Sequence, residues 1–190
     1  MSRNPENAAL WADADVYVAD SLDAANPTDA DTPFGAEWSM AGLLDGGAGF
    51  ATDRNVNQTD HYAWGGILVR TSRREFKLTR KFTVLEDNPT TRRLIWPGSS
   101  ETEIVVPRPT PIKIAFELRE GDKVRRLITR LCAEVDVDGT ITEGEADLTK
   151  TPLIATIFPD GDGVLFDRQE SGTVEGMAAQ STTGSLALDA

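Results

Sequence analysis

Cysteine and histidine are nearly absent: 190 residues contain one of each, Cys132 and His61. A single cysteine excludes an internal disulfide, and a single histidine leaves no cluster to hold a transition metal. Cys132 lies in an apolar run, where it reads as a small core residue. The two belong to unrelated segments, so they do not form a nucleophile and base pair. A Gly-x-Ser-x-Gly elbow is missing as well. Gly46-Gly47-Ala48-Gly49 lacks the spacing of a phosphate loop, the following Lys-Ser/Thr, and a helix to carry the phosphate. Asp160 and Asp162 around Gly161 resemble part of a calcium loop without its terminal Glu, which makes a hairpin turn the better reading. Glu143, Glu145 and Asp147 crowd one segment as a solvated face. With no catalytic constellation, the expectation is a protein that is not an enzyme and needs no cofactor or metal.

Long apolar runs are also lacking. No window approaches the ~18 residues of a membrane span, and no apolar stretch follows Met1-Ser2-Arg3-Asn4 as in a secretion signal. Positive charge is scarce, with 19 Lys and Arg against 31 Asp and Glu, a net charge of −12. Such a surface does not seek nucleic acid or anionic membrane. Synthesis and folding in a cytoplasm are expected. The length suits one domain with a real core, over 1–170, followed by a Gly, Ser, Thr and Ala-rich flexible tail at 171–190.

What the chain does have is β patterning, organised around 62–96. Trp64-Gly65-Gly66 leads into a strand at Ile67-Leu68-Val69, and Thr71-Ser72-Arg73 reads as the turn into a second strand. There Phe76, Leu78, Phe82 and Val84 share one face, and Glu75, Lys77, Thr79, Lys81 and Thr83 the other. Arg80 breaks the apolar face, which marks an open end or a nearby subunit boundary. Asn88 as N-cap, Pro89 in the first turn and Pro97-Gly98 as a stop predict a helix over 89–96. It would lay Leu94, Ile95 and Trp96 on the sheet.

Before this stretch, Val16-Tyr17-Val18 is a short strand, and 20–36 is an exposed loop or arm broken by Pro27 and Pro33, either disordered or used for binding. Residues 37–44 read as a strand, and 45–60 as an extended loop. After it, Ile104-Val105-Val106 is confined by Pro107, Pro109 and Pro111 to an edge or connection. Ile112, Ile114, Phe116 and Leu118 alternate with Lys113, Ala115, Glu117 and Arg119, and Glu120-Gly121-Asp122 turns that strand into a hairpin. Residues 123–135 fit a helix by spacing and a strand by the short turn before them. Asp138-Gly139 is a turn. A late strand over 147–158 carries Pro152, which suggests a bulge or an edge, and apolar residues on both faces, which implies burial on both sides. A turn at 159–163 leads to Val164-Leu165-Phe166. The expected core contains Trp38, Trp64, Phe76, Leu78, Phe82, Trp96, Phe116 and Leu118.

Several of these residues carry a resemblance. Ala14-Asp15-Val16-Tyr17-Val18, Pro27-Thr28-Asp29, and Trp38 with Gly42-Leu43-Leu44-Asp45-Gly46 come first. Ala63-Trp64-Gly65-Gly66, the 70–82 stretch and Leu85-Glu86-Asp87-Asn88 follow. Val124-Arg125-Arg126-Leu127-Ile128, Asp138-Gly139 and the run 152–160 complete the series. In order and spacing, 14–168 resembles the major tail proteins, or tail tube subunits, of long-tailed, non-contractile phages of actinobacteria. The chain departs by its shorter C-terminus, without the immunoglobulin-like domain some relatives append.

The resemblance implies a mainly β fold, two packed antiparallel sheets in a β-sandwich or open barrel with a flanking helix, and favours the strand reading of 123–135. It implies homohexameric rings stacked into a tube, the conduit for DNA ejection, with the virion tail as the protein's place. Tape measure, tail terminator and distal tail proteins are the implied partners. DNA would pass without specific binding, since six copies at −12 give −72 per ring. Glu75, Lys77, Thr79, Lys81, Glu117 and Arg119 are the expected lumen-facing or inter-subunit residues. Lys77 and Lys81 oppose that field unless acidic neighbours pair with them or their strand faces elsewhere. Asp45, Gly46, Asp53 and Arg54 are the expected inter-ring contacts. Two alternatives share the pattern: a β-sandwich binding or decoration protein of a virion, and the tube protein of a contractile injection system.

Overall fold

The computed structural model describes residues 8–171. The expected tail at 171–190 therefore lies outside the described residues, except for Ser171. Nine strands and one helix follow in chain order: β1 (Asp13–Ala19), β2 (Trp38–Met40), β3 (Ala51–Tyr62), β4 (Leu68–Val84), α1 (Pro89–Ile95), β5 (Ile114–Glu120), β6 (Lys123–Thr129), β7 (Cys132–Val137), β8 (Thr151–Phe158) and β9 (Phe166–Ser171). Every pairing between them is antiparallel. One sheet has the order β2-β1-β5-β6-β9, the other β3-β4-β8-β7. The two pack face to face without closing a barrel, as the alternating patterns require.

The main core lies between the sheets. Val16, Ile114 and Phe116 of the five-stranded sheet meet Leu78, Phe82, Val84, Leu153, Ala155 and Ile157 of the other. Their positions differ by multiples of two along each strand, with Arg80 between Leu78 and Phe82, so period-2 patterning delivers them to one face. Helix α1 adds Leu94 to this core. Asn88 caps it in a reciprocal box with Thr91, each side chain bonding the other's backbone N–H. The helix is one residue shorter than expected, and Trp96 stays over a third exposed at its C-cap.

Residues 123–135 are strand, but two strands in different sheets. β6 pairs with β5 through a hairpin at Gly121-Asp122, whereas β7 joins β8 in the second sheet. The chain changes sheets at Arg130-Leu131. Helical spacing arises here because β6 is covered on both faces: Leu127 sits opposite Phe116, while Ile128 packs with Trp38 on the reverse. Pro152 marks neither a bulge nor an edge. β8 is central, and Pro152 sits at its start, opposite Thr83, with its carbonyl accepting from Asp138 N–H. The second face of β8 (Ile154, Thr156 and Phe158) is only half-buried, with no element of the described residues packed over it.

The 20–36 segment is not a free arm. It folds as a strap across the outer face of the five-stranded sheet and closes at its neck by Asp20 N–H to Glu37 O, 2.9 Å. Phe34 stacks on Tyr17 with ring centroids 4.1 Å apart, and Ala24 and Ala30 are buried. Side chains from the sheet hold its backbone carbonyls: Lys113 Nζ to Ala24 O (2.7 Å), Arg126 Nη1 to Asp29 O (2.9 Å) and Thr32 O (2.6 Å), and Gln169 Nε2 to Pro27 O (2.6 Å). The strap satisfies the pattern of a surface loop packed by its own side chains.

Candidate functional site: a free ribbon and an open sheet face

β3 and β4 extend far beyond the sandwich. They pair from Ala51↔Lys81 to Tyr62↔Leu68, but β8 joins β4 only from Leu78 to Val84. The outer part, 55–62 with 68–77, is therefore a two-stranded ribbon with no third strand and neither face covered among the described residues. At ~3.3 Å per residue it reaches roughly 25 Å. All of β3 and nearly all of β4 up to Lys77 is exposed. This corrects two expectations. The turn lies at 63–67, not 71–73, and 51–60 is strand, so Asp53 and Arg54 sit on β3 rather than in a loop.

The ribbon's tip turns through Gly65 and Gly66, whose φ values of +89° and +79° need glycine. Ala63 N–H bonds Ile67 O at 2.8 Å. Trp64 projects fully into solvent, and Tyr62, Ile67, Leu68 and Val69 around it are exposed. Trp64 and Phe76 thus leave the expected core. Cross-strand pairs line the shaft: Thr71 donates to Asp60 at 2.8 Å, and His61 lies 3.3 Å from Ser72. A bulge interrupts the register where Glu75 and Phe76 together oppose Val56. Glu75 has φ +58°, unusual for a residue with a Cβ, and its carboxylate accepts from Asn57. The ribbon is also the basic element of an acidic chain: Arg70, Arg73, Arg74 and Lys77 outnumber Asp60 and Glu75.

The residues expected to face a lumen or a neighbouring subunit divide between opposite sides of the sandwich. Thr79 and Lys81 lie on the uncovered face of the four-stranded sheet, with Thr156, Ile154, Glu134 and Asp136 in register beside them. Lys81 Nζ meets Asp138 at 2.6 Å, so one opposing cation is neutralised within the chain. Glu75 and Lys77 are on the ribbon. Glu117 and Arg119 belong to the other sheet, under the strap and beside it. There Glu117, 2 % exposed, bonds both Arg126 and Arg119, and Arg119 also holds Asp15 and Asp13. Burial pulls the Arg119 pKa down, but bonds to Asp13 and Asp15 outweigh it and hold it above its ordinary value. The guanidinium of Arg126 also lies over the Phe34 ring, centroid 4.8 Å away.

Asp45 and Gly46 form a tied-down turn rather than a free loop. Asp45 N–H donates to Thr83 O at 2.9 Å, and Lys150 Nζ meets the Asp45 carboxylate at 2.6 Å. The lysine holds that carboxyl below its usual range. This turn borders a cavity of about 770 Å³ at the open end of the sandwich, lined by Trp11, Leu43, Leu44, Phe50, Phe82 and Leu118, with Arg80 reaching in. Leu118 is half-buried there.

No family model matches the chain, and no curated protein matches it. Among the described residues, no group of three or more His, Cys, Asp and Glu side chains is placed to hold a metal ion, and no helix is long and apolar enough to cross a membrane.

Proposed function

We propose that the protein is a self-assembling structural subunit, a tail tube protein whose copies form stacked rings around a channel. The observation that carries this reading is the ribbon. A two-stranded hairpin standing alone in water is marginally stable, yet this one places Tyr62, Trp64, Ile67, Leu68 and Val69 in solvent at its tip. Exposed apolar groups on an otherwise polar element mark a surface that another molecule covers. A basic ribbon on a chain of −12 is matched by the acidic remainder of a second copy, which favours head-to-tail contacts. Heterologous contacts of that kind close rings or grow filaments.

The uncovered face of the four-stranded sheet fits a channel wall. Glu134, Asp136 and Asp53 lie on that side, with Lys81 paired to Asp138, so the face leans acidic and would repel phosphates. Tape measure, terminator and distal tail proteins follow from the resemblance as partners, and the virion tail as the location. The exposed Trp64 tip also favours one other reading, a binding or decoration protein that inserts this tip into a partner on the virion or host. Negative-stain electron microscopy over a concentration series separates the two. Rings or hollow tubes of uniform width are expected; uniform small particles at every concentration would favour the binding protein.

A further inference from the structure

The cavity at the open end of the sandwich contains a charge that the described residues leave unmatched. Arg80 is 7 % exposed and has no carboxylate partner among the described residues. Its guanidinium lies 4.8 Å from the ring centroids of both Phe50 and Phe116, Nη1 donates to Thr52 Oγ1 at 3.1 Å, and Nε is buried without an acceptor. Burial, with Arg125 nearby, pushes its pKa down to about 10. Asp13, Asp15, Asp45 and Glu86 also line the cavity, but Arg119 bonds the first two, Lys150 the third and Leu43 N–H donates to the fourth, and none of them pairs with Arg80. A cation held between two aromatic rings beside a cavity of this size calls for an acceptor of its own that also brings apolar surface.

One exposed segment of the same chain has that chemistry. The arm at 99–111 leaves the C-terminal end of α1, whereas the cavity includes Asn88 at the N-terminal end. Its base is a formed turn, with Ser100 Oγ accepting from Glu103 N–H at 3.1 Å and Ser99 Oγ from Val105 N–H at 3.0 Å. Pro107, Pro109 and Pro111 fix the following backbone in extended form. Ile104 and Val106 are 70 % and 85 % exposed, and the Glu103 carboxylate has no partner among the described residues.

Building on the self-assembly reading, we propose that the arm of one copy enters the cavity of the next, with the Glu103 carboxylate on Arg80 and Ile104 and Val106 against the apolar walls. The contact joins two different surfaces, so it propagates from copy to copy. It also accounts for a buried cation that weakens the isolated chain, since its counter-charge arrives on assembly.

The test uses two variants in a Cys132→Ser background, Leu43→Cys at the cavity mouth and Val106→Cys on the arm, mixed in equal amounts and mildly oxidised. Cross-linked dimers are expected in the mixture and not in either variant alone. Adding Glu103→Gln to the arm variant, a change on an exposed arm that leaves the fold intact, should raise the concentration needed for cross-linking by on the order of 100-fold. Arg80→Met should do the same while making the isolated chain more stable. Rings or tubes that form without the cross-link, or a cross-link indifferent to Glu103→Gln, would overturn the inference and leave the tube reading standing. Absence of both assembly and cross-link at every concentration would overturn the two together.

Discussion

Arg80 and Glu117 are both buried charges, and their surroundings make them opposites. Glu117 has two guanidinium partners, Arg119 and Arg126, and through Arg126 it fastens the strap to the sheet. Replacing it with Gln leaves Arg126 buried without its counter-charge, a loss of about 3–5 kcal/mol by comparison with other broken buried pairs. Urea unfolding should show that drop, and hydrogen exchange should show the backbone of 24–34 losing protection before the core. Arg80 should behave in the reverse sense: Arg80→Met replaces an unpaired cation with an apolar side chain and stabilises the isolated chain by about 1–4 kcal/mol, visible as a higher urea midpoint. Acid should act through Asp13 and Asp45, whose pKa values are lowered by Arg119 and Lys150. Carboxyls depressed in the folded state contribute stability above their ordinary value of 3.8 and lose it as pH falls through the folded value. The 45–49 turn and the start of β1 should therefore loosen below pH ~4, read by exchange at stepped pH.

At the scale of elements, the ribbon and the strap exchange the roles that composition assigned them. The strap is rich in Asp, Pro and Thr and reads as solvated, yet it covers a sheet. Its anchors are backbone carbonyls, which no sequence pattern advertises. The ribbon reads as loop in β3 because neither face is covered, so no apolar alternation is needed there. The polar stretches of similar character on either side of Trp64-Gly65-Gly66 were the available sign. β4 from Leu78 to Val84, the Asn88 cap and the 114–120 strand with its Gly121 hairpin were legible, because each has one buried face or one capping residue with a fixed role. Arg80 was visible as a break in the apolar face; its place between two phenylalanine rings required the tertiary fold. Because the Trp64 side chain touches nothing that folding needs, Trp64→Ser should change the urea midpoint of the isolated chain by less than about 0.5 kcal/mol. The same variant should fail to assemble, as seen by sedimentation at concentrations where the unaltered chain forms large particles.

The described residues build a sandwich carrying two projections, the ribbon and the 99–111 arm, whose apolar groups they leave uncovered. It has one sheet sealed on both faces by the second sheet and the strap, and one sheet with a face left open. That asymmetry is what a wall element needs: a closed outer side, an open inner side, and attachments that reach beyond its own boundary. The most direct test is hydrogen exchange of residues 55–77 in dilute protein and in assembled particles. The account predicts rapid exchange in the dilute chain and strong protection on assembly, with the tip at 62–69 included. Assembled particles whose ribbon still exchanges as fast as in the dilute chain would contradict it.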